Sequence, residues 1–268
     1  MTNAQAAERS AGDLALPRLR AAGALLEYRE IAGRRSQAPP LVFLHSALGS
    51  ARLWEDLPDK LASATGSRAL MYSRQGHGAS DPLPSEHDPE YLTHEALDVL
   101  PAVLRARSIE RPVLVGHSDG ATIALINAAL SVLRVRGLVL IAPHVIVEDI
   151  SVAGIEKSAR AFEDDDLRTK LAVHHHDVDG MFDRWADVWR RAEFRQWSIV
   201  HLLGEIVCPV LVIQGEDDRY GTLAQVELIE DHVAGPVRSM ILPDCGHAPQ
   251  VEYPERVLEE VARFVRTL

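Results

Sequence analysis

The chain has 268 residues, of which 47% are apolar and 25% charged, with a net charge of −11 and a pI near 5.5. That length and apolar content supply one large core, or a core with a modest insertion, and exclude global disorder. The acidity, with no sizeable basic cluster, argues against nucleic acid and anionic membranes as partners, since both need a basic face.

Residues 1–18 are expected to form a flexible tail. No apolar signal-type segment precedes the core, and the longest apolar runs fall far short of the ~20 residues of a membrane span. A cytoplasmic protein follows as the expectation, either monomer or homodimer, with Cys208 and Cys245 kept as thiols. Leu19 to Ile31 reads as two short strands broken near Gly23, a hairpin at a sheet edge. Leu41 to Leu44 is a continuous apolar run, hence a strand buried on both faces. It ends in the small-residue loop His45 to Ser50. A helix is expected from Leu53 to Ala62 and a strand from Arg68 to Tyr72. A loop rich in Gly, Ser and Pro follows from Ser73 to Pro84, then a long helix from about Pro89 to Arg107. A strand is expected to run to Ser118 and another from Arg136 to Ala142, with a helix between them.

The alternation of strand and helix then breaks. From 144 to 206 the pattern is helical: Val152 to Phe162, Asp165 to His174, Val178 to Arg190 and Glu193 to Leu203. Three of the four Trp fall here (Trp185, Trp189 and Trp197). Phe182, Trp185 and Trp189 recur at helical spacing on one face. This segment reads as a cap or lid whose aromatic face roofs a substrate pocket. The sheet resumes with Pro209 to Gln214. A helix from Thr222 to Val233, a last strand from Pro236 to Leu242 and a closing helix from Tyr253 to Leu268 complete the chain. The fold class is therefore α/β. A mostly parallel eight-stranded sheet, built from 19–143 and 207–268, carries helices on both faces, with a small helical cap over 144–206.

Chemistry concentrates at Gly116-His117-Ser118-Asp119-Gly120, between an apolar strand and a helix. This is the G-x-S-x-G pattern of a nucleophile elbow, in which glycines let strand and helix approach closely around a strained Ser. A Ser hydroxyl needs a base, and the base needs an orienting acid. His247 lies in a loop after the last strand, and Asp217 and Asp218 lie in an acidic turn after the strand before it. The order Ser, Asp, His suits this elbow class, and all three fall at carboxyl ends of strands, where open α/β sheets place their sites.

These segments together resemble the α/β-hydrolase family with a helical cap, over residues ~20–268. GHSDG resembles the nucleophile elbow, and CGHAPQVEYPE the catalytic-His segment. GEDD resembles the family's acid turn, which selects Asp218 over Asp217. HSALGS occupies the place of the oxyanion loop, and RQGHGASDP resembles the G-x-G-x-S segment after the fourth strand. The resemblance implies a Ser118–His247–Asp218 triad and an oxyanion hole of the Ala47 and Asp119 backbone N–H groups. No metal or organic cofactor is implied. Ser46 stands where the family usually has Gly. Asp119 follows the nucleophile where apolar residues or Gln are common, and its carboxylate is read as a helix cap turned away from the pocket, the alternative being that it repels an anionic substrate.

Candidate substrate contacts are Ser46, His45, His144, Phe182, Trp185 and Trp189, with His45 more readily an oxyanion-loop brace. His117 is expected to point into the core. His174, His175 and His176 read as the solvated face of a lid helix, because adjacent helical residues diverge by about 100° and do not converge on one metal. The expected activity is serine hydrolysis of a carboxylic ester or lactone of a small to medium, partly apolar molecule. Alternatives are hydrolysis of a C–C bond in a β-diketone-like ring-cleavage product, and a small-molecule receptor on the same fold.

Overall fold

The computed structural model describes residues 16–84, 88–164 and 166–268. The tail expected over 1–18 lies outside the described residues up to 15, while Arg18 already pairs with Glu27 in the first strand. Eight strands form one sheet: β1 (Arg18–Ala21), β2 (Ala24–Ile31), β3 (Leu41–Leu44), β4 (Ala69–Tyr72), β5 (Val113–His117), β6 (Gly137–Ile141), β7 (Val210–Gly215) and β8 (Val237–Leu242). Their spatial order is β1-β2-β4-β3-β5-β6-β7-β8. The pairs β1–β2 and β2–β4 are antiparallel, and every pair from β4 to β8 is parallel.

The central strands are apolar because both faces are covered. Every residue of β3, β4 and β6 is buried. On one face Leu41, Phe43, Val113, Val115, Leu211 and Ile213 pack under the helices Leu57–Thr65 and Pro254–Arg266. On the other, Val42, Leu44, Leu114, Leu138 and Val212 pack against the helix Asp119–Leu130 and the helical segment after 91. Parallel pairing brings the carboxyl ends of β3 to β8 to one edge of the sheet, and six connecting loops meet there.

Three helices differ from the expectation for identifiable reasons. The helix expected over 53–62 splits into a 3-10 turn (Ala51–Trp54) and an α-helix (Leu57–Thr65). Pro58 can occupy only the first turn of a helix, so the α-helix begins there. The long helix runs as Tyr91–His94, a π-turn at Glu95–Val99 and Leu100–Ala106. Pro101 lacks an N–H and its ring crowds the carbonyl four residues back, which the wider turn accommodates. The helix expected over 193–203 is two 3-10 turns, Glu193–Gln196 and Val200–Glu205. Between them Ser198 bridges Ile146, and Ile199 donates to the Val145 carbonyl, so the backbone is committed to the segment after β6.

Between β6 and β7 lie the helices Asp149–Glu163, Asp166–Ala172 and Val178–Arg190. Asp165, where the second was expected to start, is outside the described residues. No helix of the described residues is long and apolar enough to cross a membrane.

Candidate active site

Ser118 is the hinge between β5 and the helix Asp119–Leu130. Its backbone stands at φ 54° and ψ −120°, a strained conformation for a residue with a Cβ. The flanking glycines make that turn possible. A Cβ on Gly120 would lie 1.9 Å from the Leu44 carbonyl oxygen, and one on Gly116 would lie 2.3 Å from the Gly120 carbonyl oxygen. No side chain fits at either position, so the elbow packs backbone on backbone against β3. The turn lifts the Ser118 hydroxyl to the sheet edge, and the helix N-terminus behind it favours negative charge.

The candidate acid and base follow β7 and β8. After β7, Asp218 is buried, and its Oδ2 accepts from His247 Nδ1 at 2.7 Å and from Gln214 Nε2 at 2.8 Å. Its Oδ1 accepts from the Tyr220 backbone N–H at 2.8 Å. Burial opposes ionisation of this carboxyl, yet the His247 hydrogen bond and charge and the Tyr220 N–H hold it below the ordinary carboxylate range. Asp217 is exposed and its side chain takes no part. With Nδ1 committed to Asp218, His247 lines the same cavity as Ser118. The His247 carbonyl accepts from His117 Nε2 at 2.7 Å, and Gln250 Nε2 donates to His117 Nδ1 at 3.1 Å. His117 therefore anchors the His247 loop rather than pointing into the core, and burial lowers its pKa to about 3.

The loop after β3 closes the third side. His45 lies beneath it with both ring nitrogens engaged: Nδ1 with the Ser46 carbonyl at 2.7 Å, and Nε2 accepting the Arg74 N–H at 3.0 Å. Arg74 Nη2 also donates to the Ser46 carbonyl at 3.1 Å and stands 3.7 Å from Asp119 Oδ2. His45 is thus a brace and does not line the cavity, while Ser46 and Ala47 do.

Asp119 departs from its expected role. Its carboxylate makes no cap bond. It is almost fully buried, accepts from the Tyr91 hydroxyl at 2.8 Å, and leaves Oδ1 without a partner. The Tyr91 oxygen in turn accepts from Trp189 Nε1 at 2.9 Å. A buried chain from Trp189 through Tyr91 to Asp119, with Arg74 beside it, therefore ties the helical insertion to the first turn behind Ser118. Burial raises the Asp119 pKa, and Arg74 and the Tyr91 hydroxyl oppose that.

These groups surround a cavity of about 90 Å³. Ser46, Ala47, Leu48, Ser118 and Asp119 form one side, and His144, Tyr220 and His247 another. The insertion adds Ser151, Ile155, Trp185 and Trp189. His144 follows β6 and bonds the Tyr220 carbonyl through Nε2 at 3.1 Å, and burial lowers its pKa to about 4. Phe182 does not reach the cavity. It shares a helix face with Trp189 but lies seven residues away, roughly 10 Å along the axis, and it stacks on Phe162 at 4.0 Å instead. Tyr220, Ser151 and Ile155 were not anticipated. Tyr220 follows the acid by two residues and its ring lies 4.6 Å from that of His247, so its place in the acid turn was an available signal. Ser151 and Ile155 carried none. Cys245 is buried and unpaired, and burial raises its pKa to about 11, which makes it a poor nucleophile.

The model of the alpha/beta hydrolase family matches residues 41–260. Proline iminopeptidase from Lactobacillus crispatus is 25% identical over 89% of this chain and 94% of its own. The 3-oxoadipate enol-lactonase 1 of Acinetobacter baylyi is 23% identical over 86% of this chain and 90% of its own. Among solved structures, the enol-lactonase from Burkholderia xenovorans superimposes with a TM-score of 0.75 at 22% identity, covering 93% of this chain and all of that one.

Proposed function

The chain belongs to the α/β-hydrolase family, and from that premise we propose that it hydrolyses a carboxylic ester or lactone of a small, partly apolar molecule through a Ser118–His247–Asp218 triad. One observation carries the reading. The strained Ser118 lines the same cavity as a histidine whose Nδ1 is held by a buried carboxylate at 2.7 Å.

In the proposed reaction His247 Nε2 takes the Ser118 proton as Oγ attacks the acyl carbon. The developing oxyanion receives the backbone N–H groups of Ala47 and Asp119. The latter opens its helix and has no intrahelical acceptor. One such donor typically contributes ~3–4 kcal/mol to the transition state. The C–O bond to the leaving alcohol breaks as His247 returns the proton to it. Water then attacks the acyl-enzyme by the same route, and the acid product leaves. Asp218 fixes the His247 tautomer and stabilises the imidazolium.

The cavity supports the choice of substrate. At about 90 Å³, lined by Leu48, Ile155, Trp185, Trp189 and Tyr220, it suits a short acyl chain or compact ring. The Asp119 carboxylate bonds Tyr91 and has the Arg74 guanidinium 3.7 Å away, which offsets its charge beside the cavity. The helical insertion acts as the cap that excludes water. The relatives named above include a proline iminopeptidase and enol-lactonases. The test therefore sets short p-nitrophenyl esters and γ- and δ-lactones against proline p-nitroanilide. Turnover of acetate or butyrate esters, lost in Ser118→Ala, is the expected outcome. Preference for the anilide would replace the ester reading with a peptidase.

A further inference from the structure

Three successive carbonyls of the oxyanion loop each meet an imidazole. Ser46 O accepts from His45 Nδ1 at 2.7 Å, Ala47 O from His77 Nε2 at 2.9 Å, and Leu48 O from His175 Nε2 at 3.2 Å. His45 and His77 belong to the loops after β3 and β4. His175 comes from the helical insertion, between the helices Asp166–Ala172 and Val178–Arg190. The solvated face expected for this histidine run is corrected here, because the Asp166–Ala172 helix has already ended and the His175 ring turns inward, 5% exposed.

The partners of His175 define its protonation. The Gly78 backbone N–H donates to its Nδ1 at 3.0 Å, so Nε2 carries the proton and donates to Leu48. The Gly78 bond requires the neutral ring, because a protonated Nδ1 cannot accept it. Burial lowers the His175 pKa to about 4, which keeps it neutral near pH 7. The His176 backbone N–H donates to the Gly78 carbonyl at 3.0 Å and makes a second tie beside the first. The His175 ring lies edge-on to His77 at 6.1 Å, and the His77 ring lies 4.9 Å from that of His45. The three rings form a row under the loop that carries the Ala47 N–H.

We propose that His175 is a positioning residue that docks the helical insertion onto the oxyanion loop and so sets the placement of the Ala47 N–H. The seating of the cap and the stabilisation of the oxyanion are then one event. A cap displaced from Gly78 and Leu48 leaves the loop without its third anchor. The proposal rests on the acyl-transfer reading above, since Ala47 matters only if an oxyanion forms.

The test compares His175→Ala and His175→Gln with wild type and with His176→Ala, whose side chain is exposed. For each protein, kcat and KM on a short p-nitrophenyl ester are measured. So are the affinities for a short alkyl boronic acid, which mimics the tetrahedral oxyanion, and for the product carboxylate. His175→Ala is expected to lower kcat by about tenfold, part of the ~100-fold or more that follows loss of an oxyanion donor. Boronate affinity should fall by the same factor, with KM and product affinity within about twofold of wild type, because placement acts on the transition state alone. His175→Gln keeps an amide donor near Leu48 and should recover part of the loss, and His176→Ala should match wild type. An unchanged boronate-to-product affinity ratio in folded His175→Ala overturns the proposal, because a purely structural role lowers both together. If His175→Ala does not fold, the same ratio in His175→Leu, which fills the space but offers no donor to Leu48, decides. Absence of ester turnover and boronate binding in wild type would instead refute the hydrolase reading itself.

Discussion

At the scale of the residue, the buried acid separates the two neighbouring carboxylates in the Gly215–Tyr220 turn. Asp218 receives three donors, from His247, Gln214 and Tyr220, whereas Asp217 faces solvent. A group so placed holds one imidazole tautomer and stabilises its cation. Asp218→Asn is therefore expected to lower kcat by about 10³–10⁴-fold, the scale seen when a triad acid is neutralised, with Asp217→Asn within about twofold. Steady-state kinetics of both variants check this, and equal losses would reassign the acid. The motif residues Ser118, Asp218 and His247 were legible in the sequence because each is a local signal at a strand end. Asp119 was not. Its role depends on Tyr91 and Arg74, which are 28 and 45 residues away and meet it only through the fold. His175 was misread for a similar reason, since its partners Gly78 and Leu48 lie about a hundred residues upstream.

At the scale of the element, the turn at Ser118 is a packing solution as well as a candidate nucleophile elbow. β5 and the helix Asp119–Leu130 cross β3 with no side chain between them at Gly120. A methyl group there would overlap the Leu44 carbonyl at 1.9 Å, and the backbone on both sides is fixed by the parallel ladder β3–β5. Gly120→Ala should therefore fail to fold, or melt far below wild type. Thermal unfolding followed by circular dichroism reads the result, and a variant of wild-type melting temperature would show that the elbow is looser than described. The buried strands could be located from runs such as Leu41 to Leu44 because both faces of the sheet are covered. The 3-10 turns around Trp197 could not, because the competing partners, the backbone of Val145 and Ile146, are non-local.

At the scale of the whole molecule, the site is stabilised by histidines kept neutral by burial. His117 titrates at about 3, His144 and His175 at about 4, and His45 is also lowered, with desolvation the leading cause in each. In the unfolded chain these groups titrate near 6.5. The unfolded state thus binds more protons between about pH 6.5 and 4, and the stability these histidines contribute is present above 6.5 and lost as the pH falls. Glu95 acts in the opposite sense. Its pKa is raised by burial to about 7, so it takes up a proton on folding and offsets part of the loss. Four histidines outweigh it, and the urea midpoint should fall between pH 7 and pH 5. A flat or rising midpoint would mean that some of these rings are charged in the native protein.

The central claim is that Ser118 is a nucleophile activated by His247, and intact-mass spectrometry after exposure to an alkyl fluorophosphonate tests it most directly. The expected result is one adduct per chain, mapped by peptide digestion to Ser118, with loss of ester turnover in proportion to labelling. Ser118→Ala and His247→Ala should remain unlabelled on the same timescale. Wild-type protein that stays unlabelled, or turnover that survives in Ser118→Ala, would contradict the account.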